Sequence, residues 1–143
     1  MAEAILKRLV SERPDATQWH IESAGTWAIN GRSAAELAQY VMQSMGMDIS
    51  THKSQPVTQD LIQRFDLILT MESNHKEGLI AGFKYDTNRI YMISEMVGLV
   101  MDIPDPIGCQ LEDYEETAHM LEHMLTDGLE WIYQKAIVNQ KLI

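Results

Sequence analysis

The sequence is short of cysteine, of basic residues and of long apolar runs, and each shortage removes a class of function. One cysteine among 143 residues leaves no internal disulfide to form, which fits a reducing compartment and an expected cytoplasmic location. Eleven Lys and Arg stand against 21 Asp and Glu, for a net charge of −10 and a pI near 4.8. Nucleic acid and anionic membrane surfaces both call for a basic footprint, so neither is an expected partner. An anionic substrate is also repelled at long range, so any phosphate site has to work through local donors. No run reaches the roughly 18 apolar residues of a transmembrane helix, and no charged-then-apolar leader opens the sequence. Repeats, low-complexity tracts and linkers are missing too, and the length predicts a single domain over residues 1–143 with a sizeable core.

Proline is also scarce, with four in the chain, yet two of them frame one carboxylate in Asp102-Ile103-Pro104-Asp105-Pro106-Ile107-Gly108. Each proline fixes its own φ and pushes the preceding residue out of the helical region. Asp105 is thus held on a stiff, extended loop, and Gly108 lets the chain turn into a helix. A carboxylate between the end of a β segment and the start of a helix lies where open α/β sheets carry ligand chemistry. Taken alone, the stretch also fits an ordinary turn and helix start.

Ile5, Leu6, Leu9 and Val10 recur at helical spacing and predict a helix over Met1–Glu12, closed by Pro14-Asp15. Gln18–Glu22 alternates, with Trp19 and Ile21 on one face and His20 on the surface face, and predicts a short strand. A turn of small residues, Ser23-Ala24-Gly25-Thr26, follows. Ser33 is the expected N-cap of a helix through Leu37, Tyr40, Val41 and Met45, ending at Gly46. Thr58 caps a shorter helix through Leu61, Ile62 and Phe65. Asp66–Met71 is a nearly continuous apolar run, as in a strand covered on both faces. A helix from Ser73 to Ile80, a third strand over Arg89–Ile93 and a short helix or turn over Ser94–Val100 come next. The last helix is expected over Glu112–Val138, with Tyr114, Thr117, Leu121, Met124, Leu125, Trp131 and Ile132 turned inward. Gly128 interrupts that face, either weakening the helix or allowing a neighbour to come close. Glu112, Asp113, Glu115, Glu116, Glu122 and Asp127 make a solvated outer face, and Lys135, Lys141 and the apolar end read as a frayed tail. The alternation predicts an α/β fold with a parallel sheet that starts halfway through a unit, since the first helix lacks the strand that should precede it.

Several spaced motifs agree, in order, with one family. Met1-Ala2-Glu3-Ala4, Glu22-Ser23-Ala24-Gly25-Thr26, Gly46-Met47-Asp48-Ile49-Ser50-Thr51-His52, Phe65–Met71 with Asn74-His75, and Pro104-Asp105-Pro106-Ile107-Gly108 resemble the low-molecular-weight protein-tyrosine phosphatases over nearly the whole chain. The resemblance implies a three-layer α/β/α fold whose sheet has four parallel strands. The first of them is central and runs into a Cys-x5-Arg-Ser-Pro phosphate-binding loop. That loop would end immediately before Met1, so the chain resembles the family less its first central strand and its catalytic loop. Cys109 is no substitute: Glu115, not arginine, stands six residues further on, and the acidic neighbours Glu112 and Asp113 are the wrong charge to support a thiolate.

The family's chemistry needs a thiolate in a ring of backbone N–H groups, an arginine clamping the equatorial oxygens, and a general acid for the leaving group. By resemblance Asp105 is that acid, and then the base that activates water against the thiophosphate. Ser23 and His52 match positions that hold the shape of the phosphate loop, and Trp27 resembles the aromatic wall of the substrate cleft. Without the resemblance, His52 reads as an exposed loop residue and Trp27 as core. The implied substrate is a phosphoprotein, and no metal or organic cofactor is implied. Ile107-Gly108 stands where eukaryotic-type enzymes carry tyrosines and looks like the bacterial branch, which includes protein-arginine phosphatases. Arsenate reductases of this fold need a resolving cysteine, and residues 1–108 contain none. His119-Met120-Leu121-Glu122-His123 fits a zinc-protease pattern, but only 20 residues follow it, so no third ligand and no metal is expected.

Two readings follow from the resemblance. The chain is a phosphatase begun at an internal methionine and inactive as it stands, or it is a complete pseudo-phosphatase that binds without catalysis. In either case the strand edges left by a missing central strand predict new pairing or self-association, because unmade backbone bonds cost about 1–3 kcal/mol each.

Overall fold

The structure is a computed structural model and describes residues 1–83 and 87–140. Its elements are α1 (Ala2–Ser11), α2 (Glu36–Ser44), α3 (Gln59–Gln63), β1 (Ile68–Thr70), α4 (Ser73–Gly82), β2 (Ile90–Met92), α5 (Leu111–Asp127) and α6 (Leu129–Gln140). Short 3-10 turns lie at Ala16–Gln18, Thr87–Arg89 and Ile93–Val97. The fold is α/β with a parallel sheet, as the alternation predicted. The chain forms two compact units, Met1–Val57 with Pro106–His123, and Thr58–Asp105 with Met124–Ile143.

In the first unit, the apolar positions of α1, α2 and α5 supply the core. Ile5, Val10, Val41, Met42, Ala38, Tyr114, Ala118 and Leu121 are buried, each large side chain contributing about 1.5–3 kcal/mol by leaving water. Gly46 ends α2 in the left-handed region, at φ +79°. Its N–H bonds Gln43 O (3.0 Å) and the N–H of Met47 bonds Met42 O (2.8 Å), which satisfies the last carbonyls of the helix. The start of α2 differs from expectation. The helix begins at Glu36 behind Ala35, with no side-chain cap; Ser33 lies outside it because its hydroxyl instead accepts from Lys53 Nζ at 2.9 Å.

The strand expected over Gln18–Glu22 is also corrected. Gln18 belongs to a 3-10 turn and residues 19–24 join no ladder. The alternation itself is kept, since Trp19 and Ile21 are half-buried and His20 exposed. Alternation sets faces, but a strand exists only through a partner's hydrogen bonds, and the segment finds one only beyond its end, at the parallel bridge of Gly25 with Pro56.

The second unit holds the sheet. β1 and β2 pair in parallel, with Ile68 opposite Ile90, Leu69 opposite Tyr91 and Thr70 opposite Met92. Ile68 and Leu69 are half-buried rather than covered on both faces, because β2 is the one strand that pairs with β1 among the described residues. The segment leading into β1 is fixed by side chains. Arg89 Nη1 donates to Phe65 O at 2.5 Å and Asn139 Nδ2 to Asp66 O at 2.8 Å. Thr58 caps α3 as expected, accepting from Leu61 N–H at 3.1 Å.

The last helical stretch is two helices, not one, with the break at Gly128. The backbone bonds nonetheless run through it, from Gly128 N–H to Met124 O and from Ile132 N–H to Gly128 O, both at 2.9 Å. Of the positions expected to face inward, Trp131 is 61 % exposed while its neighbour Ile132 is buried; the indole instead lies near the Lys135 ammonium, 5.9 Å from the ring centre. Lys135 is therefore no tail residue. It also sits over Tyr91 at 5.0 Å, and α6 runs on to Gln140 with Asn139 buried. Lys141 and the last two residues lie outside the described residues. On the acidic face Glu122 is bonded by Arg8 Nη2, and Asp113 Oδ2 accepts the Gln110 N–H at 2.9 Å.

Candidate active site

The sequence marked Ser23, Trp27, His52 and Asp105. The first three lie in the first unit and Asp105 in the second, so the two sets are described in turn.

Ser23 and His52 meet at a residue the sequence reading passed over. Glu3, in the first turn of α1, accepts the Ser23 hydroxyl on Oε2 at 2.5 Å and the Lys7 ammonium on Oε1 at 2.5 Å. His52 Nδ1 lies 3.7 Å from the same Oε2. Burial alone would raise the Glu3 carboxyl, but the hydrogen bonds from Lys7 and Ser23 and the charges of Lys7 and His52 outweigh it, and the group is held below the ordinary carboxylate range. Lys7 could have been read from the sequence as an i, i+4 partner. Ser23, twenty residues away, could not.

The sign of that shift makes a prediction. A carboxylate whose folded pKa is depressed stabilises the fold above its unfolded value and loses that contribution as pH falls through the folded one. Glu95 behaves alike: burial works to raise it, but bonds from Lys76 and from Met92 N–H lower it overall. Glu3→Gln is therefore expected to lower the urea midpoint at pH 7. The gap to the parent should close as pH drops below about 4.3, the ordinary glutamate value. A gap that stays constant down to acid pH would show that the Glu3 charge contributes nothing.

Trp27 rides on a loop closed by the segment after α2. Gly25 N–H bonds Gln55 O (3.0 Å), Val57 N–H bonds Gly25 O (3.1 Å) and Gly31 N–H bonds Ser54 O (2.7 Å). Ser54 Oγ donates to Ile29 O and accepts Arg32 N–H, while Gln55 Nε2 bonds Glu22 and the Ser23 carbonyl. The loop turns so tightly at Gly25 that a Cβ there would lie 2.9 Å from Ala28 Cβ. On this frame the Trp27 side chain is 95 % exposed, which corrects the reading of it as core. His52 is half-buried. A depression of about 410 Å³ in the same unit, lined by Val10, Trp19 and Ile21 among others, includes none of Ser23, Trp27 and His52.

In the second unit Asp105 is exposed on its proline-framed loop. The loop is anchored just upstream. Asp102 Oδ1 accepts Ser73 N–H at 2.7 Å, Ile103 N–H bonds Met71 O at 2.9 Å, and the Ile103 side chain is fully buried. Asp105 thus follows closely on residues tied to the carboxyl end of β1 and the start of α4, the end of a parallel strand at which α/β folds place chemistry.

Among the described residues no group of three or more His, Cys, Asp or Glu could hold a metal ion. In the His119–His123 stretch Glu122 is taken by Arg8. Cys109 is exposed, its thiol 3.9 Å from Ile107 O. No helix among the described residues is long and apolar enough to cross a membrane.

Residues 1–139 match the family model described as low molecular weight phosphotyrosine protein phosphatase. The chain belongs to this family. It is 33 % identical over 125 residues to the low molecular weight protein-tyrosine-phosphatase PtpB of Staphylococcus haemolyticus, covering 87 % of this chain and 84 % of that one. It is 29 % identical over 127 residues to the protein-arginine-phosphatase of Bacillus subtilis, covering 87 % and 82 %. The crystal structure of the low molecular weight protein tyrosine phosphatase from T. tengcongensis superposes with a TM-score of 0.82 at 32 % identity, covering 90 % of this chain and 87 % of that one. The low molecular weight phosphatase fold and membership are thereby shown.

Proposed function

We propose that this chain serves phosphomonoester hydrolysis on phosphoproteins, with Asp105 as the general acid and base. Ser23 and His52 brace the phosphate-binding loop and Trp27 walls the substrate cleft. The observation that carries this reading is the placement of Asp105: exposed, framed by prolines, and close to residues anchored at the carboxyl end of a parallel strand. In the reaction a cysteine thiolate attacks phosphorus, the ester bond breaks, and the Asp105 proton goes to the leaving oxygen. Asp105 then takes a proton from water as that water attacks phosphorus and the S–P bond breaks, releasing phosphate and restoring the thiolate. These steps need no metal or organic cofactor.

Residues 1–143 contain no Cys-x5-Arg stretch, so on this reading they hydrolyse nothing by themselves. The test is turnover of an aryl phosphate by residues 1–143 and by the same residues carrying a strand and a Cys-x5-Arg loop ahead of Met1. Turnover in the second alone is the expected result. Hydrolysis by residues 1–143 alone would overturn the assignment of the nucleophile, and none by either would leave a binding module without catalysis.

Phosphotyrosine is the first substrate reading. Phosphoarginine is the second, favoured by Ile107-Gly108 in place of tyrosines after Asp105-Pro106 and by the likeness to a relative named as an arginine phosphatase. A cytoplasmic location and action of residues 1–143 as one domain complete the proposal, supported by the single cysteine and by a family match running through residues 1–139. The short sheet, two-stranded among the described residues, supports self-association through its edges, since two strands alone are marginal; sedimentation as a stable monomer would refute it.

A further inference from the structure

We propose that Asp102 is the positioning residue that sets the acid, by bonding the acid loop to the N-terminus of α4. The inference rests on the role proposed for Asp105 and adds a second carboxylate with a different task. Helix α4 has no side-chain bond from its own cap residue, Glu72, so its first N–H groups need partners from elsewhere. Asp102 Oδ1 supplies one, accepting Ser73 N–H at 2.7 Å. One bond therefore caps the helix and fixes the loop.

The geometry passes that fixation on to Asp105. Upstream, Leu99 N–H bonds Ser94 O at 3.0 Å and Met101 N–H bonds Ser94 Oγ at 3.2 Å, with Ser94 fully buried. Downstream, Ile103 is held by its N–H to Met71 O and by its buried side chain. Beyond Ile103 the chain has little freedom left. Pro104 and Pro106 have fixed φ, and Ile103 and Asp105 each precede a proline and are restricted in ψ. The anchor at residues 102 and 103 therefore fixes the upstream end of the short, stiff stretch that carries Asp105, as buried Pro106 does downstream. A misplacement of about 1 Å in a reacting group costs on the order of 10²-fold in rate.

Asparagine keeps an oxygen able to accept the Ser73 N–H and is as good a cap as aspartate, whereas alanine is not. The test compares Asp102→Ala with Asp102→Asn in two readouts. In the 143-residue chain, 15N relaxation should show the Asp105 amide dropping from the rigid range near ~0.85 towards ~0.6 in order parameter for Asp102→Ala, with Asp102→Asn like the parent. In the chain carrying the Cys-x5-Arg loop, Asp102→Ala should lower kcat for phenyl phosphate by roughly 10- to 100-fold at unchanged KM. The loss should be smaller for p-nitrophenyl phosphate, whose leaving group needs less protonation, and Asp102→Asn should restore the rate. Should the alanine variant melt below assay temperature, it is rebuilt with Gly78→Ala, which strengthens α4 away from the loop.

An unchanged Asp105 amide in Asp102→Ala overturns the inference, as does Asp102→Asn failing as badly as alanine, which would make the charge rather than the hydrogen bond the active feature. If the loop-bearing parent hydrolyses nothing, the proposed function fails, and the relaxation readout alone decides whether Asp102 sets residue 105.

Discussion

Asp105→Asn, in a chain carrying a Cys-x5-Arg loop ahead of Met1, is expected to lose roughly 10²- to 10⁴-fold in kcat on phenyl phosphate, the usual share of a general acid. At 1.36 kcal/mol per tenfold that is about 3–5 kcal/mol of transition-state stabilisation. The amide has the size and shape of the carboxyl and residue 105 is exposed, and a urea melt run beside the parent's separates lost chemistry from lost stability. What the variant lacks is a proton to give. The loss must therefore depend on the leaving group: severe for phenolate, mild for p-nitrophenolate, which departs without help. The nearest rival for the role is Asp102, also exposed, but its Oδ1 already accepts from the Ser73 N–H. Equal loss across leaving groups, or none, would move the acid away from residue 105.

That loop was legible in the sequence because its chemistry is local. Prolines on both sides of an aspartate restrict the backbone without outside help. The same holds for Gly46 at the end of α2 and for Thr58 at the start of α3, both found where the sequence put them. What could not be read were bonds between distant segments. Asp102 caps α4 from 29 residues away, and the Glu3 carboxylate gathers Ser23 and His52 from separate loops. No periodicity records either. Gln18–Glu22 carried the alternation of a strand, and its burial follows that alternation, but a ladder needs a second segment that alternation does not name. Trp131 misled for a related reason. Helical spacing counted from Tyr114 turned it inward, and the interruption at Gly128 leaves it outside with Lys135.

That interruption carries the largest expected effect on stability. The sequence left two readings of Gly128, a weak point or a close approach, and the structure favours the second. A Cβ at residue 128 would lie 2.8 Å from Met96 Cβ, 2.8 Å from Met124 O and 3.1 Å from Met96 O. Two of these atoms are backbone, and Met96 and Met124 are both buried, so the surroundings cannot give way by a rotamer change alone. Gly128→Val should cost about 3 kcal/mol, at the upper end of ordinary overpacking, and lower Tm by roughly 10 °C. Gly78 provides the opposite case. It lies within α4 with nothing near the place of its missing Cβ, so Gly78→Ala should gain up to about 1 kcal/mol from helix propensity. Adding a side chain at these two glycines thus has opposite signs, decided by what stands within about 3 Å of the new Cβ. If Gly128→Val melts with the parent, α6 does not approach the Ile93–Val97 turn closely, and the glycine there marks only a weak point between two helices.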